Sequence, residues 1–291
     1  MKRLVALWLC LLLTVCLYAC EETETQDRRK IFLQNTSLTE EQTALLKTKT
    51  VILDPGHGFE DPGCEYPQNG IIEKELTRVL AQKIGACLEK SGITVLYTHD
   101  GETFMSMAAL NAFAETANYN LRDYLETLVY GYSGRTGEEA ASTVEAFLDG
   151  INEDVVFDTF ERAHYANLLA VETPADLFVS VHINASATNN RAKGFDLFVC
   201  SDTPHGEQSL CLMGALEASL LYSFPDARCG TRACSWDNAY VVTKYADMPA
   251  LLLESGFASN AEDARDLTDA AWQDEFAKAV ADGVRLYLLG L

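Results

Sequence analysis

The chain has 291 residues, of which 48% are hydrophobic, 10% aromatic and 22% charged. That is enough apolar material to fill a core and too much for a disordered or fibrous protein. The formal charge of −21 argues against a nucleic-acid partner and against a basic patch docking on anionic lipid.

Lys2 and Arg3 precede an apolar stretch from Leu4 to Leu17. It is short for a spanning helix and of the right length for a signal-peptide core. The stretch ends in Leu17-Tyr18-Ala19-Cys20, followed by Glu21-Glu22. This resembles a bacterial lipoprotein signal, although Tyr18 is bulkier than the residue usual there. The resemblance implies cleavage after residue 19 and a lipid anchor to the membrane through Cys20. An ordinary secretory signal with an incidental cysteine is the alternative. Either reading exports the chain to the cell envelope, facing the periplasm or the cell wall.

Residues 20–48 are polar, mixed in charge and poor in large apolar groups, so a tether is expected there, leading into one domain over 49–291. Val51-Ile52-Leu53 reads as a buried strand running into a Pro/Gly turn. Residues 73–90 carry Leu76, Val79, Leu80, Ile84, Cys87 and Leu88 at the spacing of an amphipathic helix, with Gly92 as its stop. Strands are expected over 93–98, 177–183 and 250–253, and helices near 206–222 and 269–288. Asn260 opens a short helix with Asp263 in the capping-box position. Strands alternating with helices predict an α/β fold, a twisted, mostly parallel or mixed sheet flanked by helices. Between Thr98 and Asp176 this alternation breaks into mostly helical sequence.

Beyond Cys20 the chain carries Cys64, Cys87, Cys200, Cys211, Cys229 and Cys234, which an exported protein can pair. Cys229 and Cys234, with four residues between them on an expected Gly-containing loop, are the first pair to examine. The competing reading makes them small buried apolar residues. No C-x-x-C occurs, which argues against a cysteine-based zinc site.

Four segments place histidines and acids at the ends of expected strands or at a helix start, where open α/β sheets bind ligands. They are His57 in Asp54-Pro55-Gly56-His57-Gly58, Glu73 at the start of the amphipathic helix, His182 in Ser180-Val181-His182-Ile183-Asn184-Ala185, and Glu254 after Leu251-Leu252-Leu253. Each has a plain alternative: a turn histidine, a helix-dipole charge, a satisfied core histidine. Glu254 is hardest to explain that way, because an acid closing a buried strand is costly unless paired or metal-linked. Together they propose His57, His182 and one glutamate as three zinc ligands, with a second glutamate left over. Two imidazoles and a carboxylate leave a fourth position for water, and the spare glutamate can move its proton. No H-E-x-x-H occurs, so thermolysin-like spacing is excluded.

These segments, with Asp61-Pro62-Gly63, Asn69-Gly70, Glu73-Lys74, Met248-Pro249-Ala250 and Glu254-Ser255-Gly256-Phe257-Ala258-Ser259-Asn260, stand in an order that resembles zinc-dependent N-acetylmuramoyl-L-alanine amidases of the amidase-3 type. The resemblance covers roughly 50–103 and 158–289. It implies one zinc ion per chain, held by His57, Glu73 and His182, with Glu254 as the catalytic glutamate. It also implies peptidoglycan as substrate, cut between N-acetylmuramic acid and L-alanine. His99 stands where the family often has arginine. A helical insertion over about 104–157 is expected, either packing on the domain or blocking the site until an activator protein moves it. Cleavage of another peptidoglycan amide, or a non-catalytic wall-binding module on the same fold, are the competing functions.

Overall fold

The computed structural model describes residues 26–35, 37–58, 61–100 and 159–291. The expected signal over 1–19 and the expected insertion over 104–157 therefore lie outside the described residues. At the centre is a six-stranded sheet in the order β4-β1-β5-β8-β6-β7. Its strands are β1 (Thr50–Pro55), β4 (Thr94–Tyr97), β5 (Leu177–Asn184), β6 (Phe195–Cys200), β7 (Cys229–Cys234) and β8 (Ala250–Phe257). The first four in spatial order are mutually parallel, β6 is antiparallel to β8, and β7 runs parallel to β6. A small antiparallel pair, β2 (Glu65–Tyr66) and β3 (Ile71–Ile72), sits apart from this sheet.

Strands β1, β5 and β8 are buried almost end to end, which explains why they read as continuous apolar runs rather than alternating ones. One sheet face packs on helices α3 (Glu73–Glu89), α5 (Gly206–Ser223) and α8 (Ala270–Leu288), through a core that includes Leu80, Ile84, Leu216, Phe276 and Val280. The other face carries a smaller cluster of Ile52, Phe178, Phe198, Val242 and Leu252 under α4 (Thr159–Glu172) and α6 (Val241–Lys244). Helix α7 (Ala261–Leu267) begins where expected, with Asn260 accepting from the amides of Glu262 and Asp263. Asp263 does not close a capping box. Its Oδ2 accepts instead from the amides of Phe257 and Gly194, tying the end of β8 to the approach to β6.

Three expectations change. Residues 26–34 form a helix, α1, and α2 follows over Glu40–Leu46, so this part of the expected tether at 20–48 is docked. Leu46 is fully buried, and Arg29 donates to the carbonyls of Leu291 and Gly214. A few apolar side chains, capped by Thr39 with Gln42, suffice to seat a segment that is polar on average. Strands β6 and β7 were not expected. In β6 the apolar run is broken by Asp196, and β7 (CGTRAC) is an edge strand without large apolar side chains. Cys229 and Cys234 open and close β7 rather than sharing a loop. Five strand steps separate them by about 16 Å, well beyond the roughly 7 Å limit for a disulfide, and both are free thiols.

Candidate metal centre

The turn after β1 is shaped by a residue that is not glycine. His57 adopts φ 64°, and Gly58 follows at φ 129°. A left-handed histidine is strained, and surrounding contacts must hold it. The amide of Gly56 donates to Val181 O at 2.7 Å and Thr77 Oγ1 donates to Gly56 O at 2.7 Å. Nη1 of Arg162 reaches His57 O at 3.4 Å. Below the turn, buried Asp54 accepts from Thr98 Oγ1 (2.6 Å) and Ser180 Oγ (2.5 Å) and lies 3.1 Å from Arg162 Nε. Burial works to raise its pKa, but Arg162, His99 and the two hydroxyls outweigh it and hold the carboxyl ionised.

His57, Glu73 and His182 converge so that one ligand atom from each lies within 4.8 Å of the others. Glu73 Oε1 stands 3.2 Å from His57 Nε2 and 3.2 Å from His182 Nδ1. Its other contacts are backbone amides, Ile183 N to Oε1 at 2.9 Å and Cys64 N to Oε2 at 2.8 Å. Although burial opposes ionisation of Glu73, the hydrogen bonds and charges of His182 and His57 drive its pKa far below the carboxylate range. For His182 burial prevails and lowers the pKa despite Glu73, which favours the neutral, ligand-competent imidazole. On the outer side, His57 Nδ1 meets Asp61 Oδ2 at 2.7 Å. That carboxylate–imidazole contact orients the ring with Nε2 inward. Burial would lower the His57 pKa, but Glu73 and Asp61 together raise it.

Glu254 sits in the middle of β8, in register with His182 on one side and Asp196 on the other. Just beyond, Ser255 and Gly256 together oppose Ile183, a bulge of the kind found beside active sites. Glu254 is 8% exposed. Burial first, then the like charges of Glu73 and Asp196, push its pKa up to about 8. Among the described residues, its Oε2 and the Nε2 of His182 are buried without a hydrogen-bond partner. Orphaned polar atoms are costly, and here they border a cluster of two imidazoles and a carboxylate. That donor set fits zinc.

All four residues singled out in the sequence thus meet at one place. Asp61, Arg162, Thr98 and Asp196 were not assigned roles. Asp61 belongs to a motif that carried the family resemblance but no role, while nothing in a single sequence marks Arg162, which lies on a helix more than a hundred residues from the turn it contacts. His99 is buried, with Nε2 2.8 Å from Pro55 O. A Cβ on Gly58 would come 2.9 Å from its ring, so His99 underpins the turn.

Three side chains that could hold a metal ion stand beside a separate high-pKa carboxylate at a mostly parallel sheet, a layout suited to a hydrolase. The model of the N-acetylmuramoyl-L-alanine amidase family (amidase-3) matches residues 51–122 and 139–285, and the chain belongs to that family. Within the expected insertion, the match is interrupted only between 122 and 139. The amidase LytC of Bacillus subtilis is 24% identical over 239 residues, 82% of this chain but 35% of LytC, so the chain spans about a third of that relative. The amidase AmiA of Escherichia coli is 27% identical over 82% of this chain and 76% of its own length. In fold, the chain is similar to the amidase AmiC2 of Nostoc punctiforme, with a TM-score of 0.56 at 20% identity, covering 83% of this chain and 98% of that one. It is likewise similar to the CwlD amidase of Clostridioides difficile, solved in complex with the GerS lipoprotein, with a TM-score of 0.55 at 22% identity over 84% and 100%.

Proposed function

We propose that the chain is a zinc-dependent amidase that hydrolyses the bond between N-acetylmuramic acid and L-alanine in peptidoglycan. The observation carrying this reading is the convergence of His57, Glu73 and His182, with Glu254 in register beside His182. His57, Glu73 and His182 would hold one zinc ion, which when bound polarises the scissile carbonyl and acidifies an attacking water. Glu73 stays ionised, as a ligand must. Asp61 keeps the His57 ring oriented, and Arg162 with Asp54 keeps its strained turn in place. Glu254 takes the proton from the attacking water and delivers it to the leaving amine of L-alanine. Without metal, burial and the like charges of Glu73 and Asp196 push the Glu254 pKa up to about 8; a zinc ion bound beside it would lower that value and favour the carboxylate a general base needs at neutral pH.

We place the protein in the cell envelope, anchored through Cys20. Among the described residues no helix is long and apolar enough to cross a membrane. Digestion of purified peptidoglycan followed by mass spectrometry tests the activity. Intact stem peptides released with a free L-alanine amine are expected. Cuts within the stem would mean another amide is the substrate, and binding without cleavage would mean a non-catalytic module.

A further inference from the structure

The sheet face that carries Glu254 continues past it to the edge of the molecule. Asp196 on β6 is in register with Glu254 and with Gly230 of β7. One pair further along β6, Phe198 is in register with Leu252 and with Arg232. Residues two apart on a strand share a face, so Glu254, Asp196, Phe198 and Arg232 lie on the same surface. The Arg232 guanidinium stands over the Phe198 ring, 5.2 Å from its centroid. Tyr240 packs edge-on against the same ring at 5.0 Å and is 43% exposed. Arg232 is also exposed, and among the described residues it has no carboxylate within ion-pair distance.

Resting on the amidase reading, we propose that Arg232 and Tyr240 form a receptor for a free carboxylate carried by the stem peptide of the substrate. A peptide bearing carboxylates is repelled by a chain with a net charge of −21, so productive binding needs a local cation. Arg232 is fixed over an aromatic ring, and its planar fork suits a carboxylate better than a lysine would. Tyr240 adds a hydroxyl donor beside it. Burial, followed by the charge of Glu254, raises the pKa of that phenol and keeps its proton on, while Arg232 acts in the opposite direction.

The spacing selects which carboxylate. Two strand spacings across and two residues along put the Arg232 Cα about 12 Å from that of Glu254. An extended peptide covers about 3.3–3.6 Å per residue, so the receptor reaches a carboxylate on the third or fourth residue beyond the scissile amide. The plainer reading of Arg232 is a charge that discourages pairing at an exposed edge strand. That role is indifferent to the substrate.

The test compares two muramyl peptides that differ only in whether this carboxylate is free or converted to a carboxamide. The full-length chain is assayed as wild type, Arg232→Gln and Tyr240→Phe. Wild type is expected to show a KM about tenfold lower for the free acid, rising with ionic strength. Arg232→Gln should bring the two KM values within about twofold, with the loss falling on KM rather than kcat, and Tyr240→Phe should narrow the gap in part. Equal discrimination by wild type and Arg232→Gln, or a fall in kcat shared by both peptides, would overturn the receptor while leaving the amidase activity standing. If wild type cleaves neither peptide, the amidase reading fails and takes the receptor with it.

Discussion

Replacing Glu254 by glutamine should make the protein slower and more stable at once. The amide keeps the shape of the side chain but cannot accept a proton, so turnover should fall by about two to four orders of magnitude. The stability change follows from proton linkage. An unfolded glutamate ionises near 4.5, whereas Glu254 in the folded chain ionises near 8. Below pH 4.5 both states carry the proton and there is no penalty. As pH rises from 4.5 towards 8 the unfolded state loses its proton more readily, and folding stability declines. Taking about 1.4 kcal/mol per pH unit, the penalty is about 1 kcal/mol at pH 5 and on the order of 4–5 kcal/mol at pH 9. Glutamine removes this dependence. Urea unfolding of chelator-treated wild type and Glu254→Gln between pH 5 and 9 should show the variant gaining about 3–4 kcal/mol on wild type across that range. A constant difference, or a variant less stable at pH 9, would refute the high proton affinity of Glu254 and with it the argument for its role as base.

Other substitutions probe the surroundings. His57→Ala and His182→Ala should each abolish stoichiometric zinc, read by elemental analysis of the purified chain. Gly56→Ala should have the same effect without touching a ligand, because its Cβ would fall 2.5 Å from Cε1 of the His182 ring. Asp61→Asn should weaken zinc affinity about 10–100-fold by competition with a chelating dye, since the 2.7 Å contact to His57 Nδ1 loses its charge. Asp263→Ala leaves the amides of Phe257 and Gly194 without their shared acceptor, and chemical denaturation should register a loss of about 1–3 kcal/mol.

The elements legible in the sequence are those whose burial is uniform. Strands β1, β5 and β8 are hydrophobic on both faces, and α3 shows its stripe from Leu76 to Leu88, so periodicity alone defines them. Strand β6 hides because Asp196 interrupts it, and that aspartate is there for Glu254 and Arg228, whose Nη1 lies 3.0 Å from its Oδ1. A local break in pattern at such a position reflects the site rather than the fold. The candidate metal ligands could be proposed because histidine and acid side chains are conspicuous at the ends of apolar strands and at a helix start. Their supports could not. Arg162 and Thr98 contact Asp54 only after strands and helices distant in sequence have been brought together, and no spacing rule links residues 54, 98 and 162.

His57, Glu73, His182 and Glu254 come from a turn, a helix and two strands spread over nearly two hundred residues, gathered at a largely parallel sheet. No two of the proposed ligands are close enough in sequence to grip an ion in the unfolded chain as a local pair. Zinc would therefore recognise the assembled sheet almost exclusively, and mass action would turn its concentration into resistance to unfolding. Free zinc at a thousand times its dissociation constant is worth about 4 kcal/mol. Parallel sheets close slowly because their contacts are distant along the chain, so a molecule that opens outside the cell is exposed to proteases for longer than a helical one. In such a setting the supply of metal in the envelope would set the working lifetime of the protein as well as its turnover.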